Sequence, residues 1–128
     1  MDVKRNANER GANLVEAALV VPMLLILLLG VTDLGRAYHT YITIINAVRE
    51  GARYGVSHAS DTAGIRARVM SEAQFSDVDL SGATITVDNG GSGNPVRVTV
   101  RTDFPVILGN LLGRPTFPIR YGVAFRVR

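Results

Sequence analysis

A chain of 128 residues with no cysteine has room for one small domain and an anchor, and it excludes disulfide scaffolds and thiolate metal sites. Nearly half the residues are hydrophobic, but they concentrate between Ala17 and Val31, so the rest reads as a small domain with a modest core. Arginine supplies almost all the basic character, Lys4 being the only lysine, and a formal net charge of +3 does not by itself argue for nucleic acid as a partner.

The first ten residues, MDVKRNANER, are polar and set Lys4, Arg5 and Arg10 ahead of an apolar run. Basic residues in that position hold their end in the cytoplasm and send the C-terminus across the membrane. The expected topology is a single pass through the cytoplasmic membrane, with an extracytoplasmic C-terminal domain. Ala17 to Thr32 is sixteen residues without a charge. As a helix it reaches roughly 24 Å at about 1.5 Å per residue, short of the ~20 residues of a comfortable span. Counting Leu14 and Val15 closes the gap and puts Glu16 at the bilayer edge. A cleaved secretory signal is the alternative. The run passes into Asp33-Leu34-Gly35-Arg36 without a small-x-small site, which favours an anchor that stays.

Past the membrane the helix is predicted to continue, running from Gly11 to Gly55 in all. Leu34, Tyr38, Tyr41, Ile45, Val48 and Ala52 recur at alternating spacings of four and three and are expected to pack on the chain's own domain. Arg36, His39, Thr43, Asn46, Glu50 and Arg53 repeat that spacing on the opposite, polar face. Ala47, Gly51 and Gly55 form a row of small residues, which lets another backbone approach closely. Such an approach would offset the cost of up to ~1 kcal/mol per helical glycine.

Ser60 or Asp61 is suited to cap a second helix reaching about Gln74, with Ile65, Val69 and Ala73 as its apolar edge. Ala83 to Val87 reads as a strand, Asp88 to Asn94 as a turn, and Pro95 to Thr102 as the returning strand of a hairpin. Pro118 to Arg128 alternates strictly and makes a third strand. Between strands two and three, Phe104 to Phe117 carries Val106, Ile107, Leu108, Leu111 and Leu112. These form either a short helix over the sheet's end or an exposed patch covered by a partner subunit or the membrane. The fold class is α+β: a long N-terminal helix, half transmembrane and half stalk, packed on a small three-stranded antiparallel sheet, with a short second helix.

Glu16 is the residue that needs an explanation, because a charge near the membrane is costly and usually has a partner. A cut after Gly11 would create an amino terminus at Ala12, about one turn before Glu16, able to pair with it on the same or a neighbouring helix. An uncut chain offers Arg10, or lets Glu16 reach the interface; spacing leaves both open. On the sheet, Arg97, Arg101, Arg120, Arg126 and Arg128 fall opposite the valine side and make a basic face for an acidic partner or polyanion. No aromatics interleave them, so a stacking platform for single strands is not expected. Ser57, His58, Ser60 and Asp61 have the residue types of a hydrolase, but no nucleophile elbow frames them and a capping loop accounts for them. DNGGSG lacks the alternating acids and closing Glu of a calcium loop. Neither catalysis nor a cofactor or metal is expected.

Gly11-Ala12-Asn13-Leu14-Val15-Glu16 resembles the class III signal of type IV prepilins, cut after Gly with Glu as the fifth mature residue. More specifically, Leu14-Val15-Glu16, Pro22, Asp33-x-Gly35-Arg36 and the block Ala47-Val48-Arg49-Glu50-Gly51-Ala52-Arg53-Tyr54 resemble the TadE-like family of minor pilins, or pseudopilins. Ala17 and Asn13 depart from that pattern, in which a bulky residue follows Glu and the position of Asn13 is less polar. The resemblance implies a pilin-like fold and a leader over 1–11 removed by a prepilin peptidase at Gly11–Ala12. It further implies a transmembrane and stalk helix over 12–56 and an extracytoplasmic head over 57–128. Glu16 would be the assembly contact. The implied partners are other pilin subunits, the peptidase, the inner-membrane platform of the tight-adherence (Tad) system and the lipid bilayer. Assembly would carry the subunit to the pilus at the cell surface, in support of adherence or secretion. The competing reading is a permanently anchored extracytoplasmic binding module that uses the basic sheet face.

Overall fold

The computed structural model describes residues 3–89 and 95–126, with side chains described over 11–88 and 95–125. Helix α1 (Val3–Ser57) is continuous for 55 residues, roughly 80 Å at about 1.5 Å per residue. It starts eight residues before the expected Gly11, which it takes in as an interior helical glycine. Pro22 lies inside it, where its ring nitrogen has no hydrogen to offer the Ala18 carbonyl.

Helix α2 (Thr62–Phe75) starts where Asp61 Oδ1 accepts the Gly64 N–H at 2.8 Å, satisfying one of the donors orphaned at a helix start. It stops in a Schellman arrangement, in which the Val78 and Asp77 amides return to the carbonyls of Ala73 and Gln74. Asp77 takes the left-handed position at φ 56°, and Val78 is buried against the end of the helix. Ile65, Val69 and Ala73 are the buried edge, as the spacing predicted.

Strands β1 (Thr84–Asn89), β2 (Pro95–Pro105) and β3 (Thr116–Arg126) form an antiparallel sheet in the order β1-β2-β3. Thr86 pairs with Thr99, and Thr99 pairs with Gly122. The hairpin pairing is therefore as expected, while most of the predicted turn, residues 90–94, lies outside the described residues. β2 runs three residues past its predicted end and β3 begins two residues early. The ladder continues until Val106 and Pro115 are tied by a backbone bond of 2.8 Å. Between these strands, α3 (Ile107–Leu111) is a single short helix.

The core lies where the second half of α1, α2 and the inner sheet face meet. Ile44, Ala47, Val48 and Ala52 of α1 are buried against Ile65, Val69 and Ala73, and against Val96, Val98, Val100, Phe104 and Ile119. The stalk face is therefore rotated from the predicted one. Leu34 and Tyr38 are exposed and Ile45 is only half-buried, whereas Asp33 and Thr43, the latter assigned to the polar face, are buried. The observed stripe runs through Asp33, Ala37, Thr40, Ile44, Ala47, Gly51 and Gly55. Small side chains at Ala37, Ala47, Gly51 and Gly55 let the head approach along this line, with Ile44 and Val48 filling the core beside them and Leu34 and Tyr38 left outside.

Gly51 marks the closest approach. A Cβ there would collide with Val69 Cγ2 and come within 3.3 Å of the Ile65 carbonyl oxygen. At Gly55 it would stand 3.0 Å from Ile65 and 3.1 Å from Val96. Gly35, by contrast, has open space around it. Gly35→Ala is expected to raise stability by up to ~1 kcal/mol through helix propensity. Gly51→Ala is expected to lower it, because overpacking of about 1–3 kcal/mol outweighs the same gain. Thermal unfolding in detergent, followed by circular dichroism, checks the opposite signs.

Candidate functional site

Among the described residues, α1 is exposed at every position from Gly11 to Leu28. Its most apolar 18-residue window has a mean hydropathy of 2.7 and is wholly unburied. Leu19, Met23, Leu25 and Leu28 are each more than half exposed. The core helix of a soluble domain would be covered, so this segment is a candidate single-pass anchor. Thr32 belongs with it, because its hydroxyl donates back to the Leu28 carbonyl at 2.9 Å and needs no water. Gly11, Ala12 and Glu16 all lie exposed on this helix, and among the described residues Glu16 has no partner.

One residue past the span the situation reverses. Asp33 is only 6% exposed. Its carboxylate accepts the Leu108 N–H at 2.7 Å and the Ile107 N–H at 3.0 Å, and Arg36 donates to it at 3.2 Å. Arg36, one helical turn on, lies with its guanidinium 5.2 Å from the centre of the Phe104 ring, a cation–π distance. The Asp33-x-Gly35-Arg36 motif thus clasps α3 and the end of β2 to the helix. Burial by itself raises the Asp33 pKa, but the bonds from Leu108 and Ile107 and the charge of Arg36 prevail, holding the carboxyl below its ordinary value of 3.8. The sequence marked this motif without its partner, since Ile107 and Leu108 lie more than seventy residues away. The signal that was available is an acid directly after an apolar run. Beside the clasp, an open groove of about 460 Å³ is lined by Arg36, His39, Asp79, Asp103 and Phe104 among others.

The second junction sits where α1 hands over to α2. The Tyr54 hydroxyl donates to Asp61 Oδ2 at 3.0 Å, and His58 stacks on Tyr54 with ring centres 4.4 Å apart. Asp61 is held below its ordinary pKa by the Gly64 N–H and then by Tyr54, while that hydrogen bond to Asp61 is the main cause raising Tyr54. Both oxygens of Asp61 are therefore occupied in joining two helices, and neither is aimed at His58 as a catalytic dyad would require. Among the described residues, no cluster of His, Asp or Glu could hold a metal.

On the outer sheet face, Arg97, Arg101 and Arg120 are exposed and share one side, with Thr99 and Gly122 between them. Arg101 stands directly opposite Arg120, and Asp88 is the register partner of Arg97. Arg126 ends β3 opposite Pro95, and Arg128 lies outside the described residues.

Residues 11–53 match the family model of TadE-like protein. The match takes in Gly11, Glu16, Pro22, Asp33 and Arg36 and ends one residue before Tyr54. The match covers about a third of the chain, and it is that segment alone which is similar to the family. No curated protein and no solved structure matches the chain.

The TadE-like segment thus includes both carboxylates of interest. Replacing Asp33 by Ala removes the charged acceptor of two part-buried amides, for an expected cost of about 1.5–3 kcal/mol each. Because the folded pKa of Asp33 is depressed, its contribution is complete above about 3.8 and is lost as pH falls through the lower folded value. Protection factors of the Ile107 and Leu108 amides should fall over that acid range in the natural chain. In Asp33→Asn they should already be low at neutral pH and stay flat through it.

Proposed function

We propose that this chain is a minor pilin, or pseudopilin, of a Tad-type pilus, made as a membrane-anchored precursor and then drawn into a filament. The observation that carries this reading is Glu16: an exposed carboxylate near the start of an uncovered apolar helix, without a partner among the described residues and inside the TadE-like match. A charge so placed needs a counter-charge close to the lipid. Cleavage after Gly11 supplies one, since the ammonium created at Ala12 of a neighbouring subunit can pair with Glu16. That pairing sets the axial register between subunits as each leaves the bilayer.

In this reading residues 1–11 are the leader, with its basic residues cytoplasmic. Residues 12–56 are the membrane and stalk helix, and residues 57–128 the extracytoplasmic head. A prepilin peptidase acts on the chain, other pilin subunits and the Tad inner-membrane platform receive it, and the pilus serves adherence or secretion. Intact mass of the membrane-extracted protein, co-expressed with an active prepilin peptidase, should show the loss of residues 1–11. Persistence of the full-length chain under those conditions would sink the proposal. Glu16→Ala should still be cut but should vanish from sheared filaments while remaining in the membrane fraction.

A second reading rests on the opposition of Arg101 and Arg120. Like charges directly across a ladder repel, and an anionic group lying between them and Arg97 would relieve the repulsion. The head would then be a permanently anchored module binding an acidic partner. Retention on a heparin column should drop when Arg97→Glu and Arg120→Glu are combined; unchanged retention leaves that face as a solvated surface.

A further inference from the structure

The loop held by Asp33 and the start of β3 beside it carry four large apolar side chains, Ile107, Leu111 and Leu112 on the loop and Phe117 on the strand, that the rest of the head leaves exposed. Leu111 is 69% exposed, Leu112 71% and Phe117 65%, and Ile107 is nearly half exposed. The neck of the loop is closed by the Val106–Pro115 backbone bond and by the pairing of Pro105 with Thr116. The exposed side chains therefore project from a fixed base.

The height of this loop along α1 says what covers it. Asp33 is bonded to the first residues of α3, and Gly30, still inside the apolar span, faces Leu108 Cδ2 at 3.8 Å from where its Cβ would be. Leu29 and Gly30 are the partly covered residues of an otherwise exposed apolar run. The α3 loop thus lies beside the last turn of the span. Any bilayer that reaches Thr32 also reaches the loop. The span is short for a full bilayer, which draws the head toward the lipid rather than away from it.

The backbone is equipped for that place. Near hydrocarbon every amide must be satisfied within the protein. The Val106 N–H has the Pro115 carbonyl, Ile107 and Leu108 have Asp33, and Asn110, Leu112 and Arg114 have carbonyls within the loop. Arg114 is exposed on the loop and long enough to reach lipid phosphates, and Arg36, bonded to Asp33, keeps part of its side chain exposed beside it.

We propose that the α3 loop is a lipid-docking foot, in which Ile107, Leu111, Leu112 and Phe117 enter the head-side leaflet of the bilayer that α1 crosses. Arg36 and Arg114 lie at headgroup level. The foot fixes the head against the membrane surface in the unassembled subunit, and the buried Asp33 carboxylate satisfies amides that water would otherwise have to reach. This rests on α1 being a membrane anchor, and the test separates the two.

The chain has no cysteine, so single nitroxide labels can be placed without background at Leu25→Cys, Leu112→Cys and Thr86→Cys. The full chain is reconstituted into phosphatidylcholine–phosphatidylglycerol vesicles. Each label's relaxation by oxygen is then compared with that by a water-soluble nickel chelate. Labels at 25 and 112 should lose the chelate effect and gain the oxygen effect at every protein-to-lipid ratio, while the label at 86, on the outer sheet face, does the reverse. Chelate access at 25 overturns the anchor and the foot with it. A lipid-facing 25 with a chelate-accessible 112 overturns the foot alone. Shielding at 112 that disappears as the protein is diluted in lipid also overturns it and assigns the patch to a second copy of the chain. Leu111→Cys repeats the measurement at a neighbouring exposed site and guards against a local effect of the label.

Discussion

A carboxylate placed one residue beyond a hydrophobic span has either to reach water or to be bonded completely by the protein. Asp33 takes the second course, with two backbone amides and an arginine around it. Charge-assisted bonds of this kind are worth roughly twice neutral ones, so the contact holds the β2–β3 connection at one height on the helix. Every other feature of the head is set from that height: the strands rise from the loop, and the helix carries its small residues along the side they cover.

The two halves of the helix suit different surroundings. Over its first half, exposed leucines and valines have no protein against them and suit lipid. Over its second half, alanines and glycines bring the backbone against α2 and the sheet. A residue's size therefore matters in opposite senses in the two halves. Bulk favours insertion where the neighbours are acyl chains, whereas small side chains permit contact where the neighbours are strands. Leu34 and Tyr38, in the stretch between, belong to neither set and remain exposed.

Two of the three acids in the segment that matches the TadE-like model, Asp33 and Glu16, divide along the same line, the third, Glu50, being paired with Arg53 on the helix surface. Asp33 is satisfied within its own chain, which suits a structural clasp. Glu16 is not satisfied among the described residues, which suits a contact made only with a neighbour. In the filament reading, the subunit enters assembly with its head already fixed to the helix. The register between subunits is left to Glu16, a charge at the start of the apolar helix that the described part of the fold does not use.

Local pattern determined much of this protein by itself. The apolar run, the Asp61 cap with the Ile65-Val69-Ala73 edge, the hairpin and the alternation of the third strand all follow from spacing and turn chemistry within a few residues. The segment from Gly11 to Arg53 carried enough motif to resemble the TadE-like family, and a model of that family matches it. Three things depended on the tertiary structure. Of the expected stalk face, Val48 and Ala52 are buried while Leu34, Tyr38 and Tyr41 are exposed, because spacings of four and three fit several neighbouring faces and only the approach of α2 and the sheet selects one. The role of Asp33 was invisible, since its partners are backbone amides whose availability depends on where α3 begins and not on side-chain identity. The fate of Ile107, Leu111 and Leu112 was likewise undecided. Sequence gives their hydrophobicity, but only the docking of the loop beside Gly30 gives their height relative to the membrane.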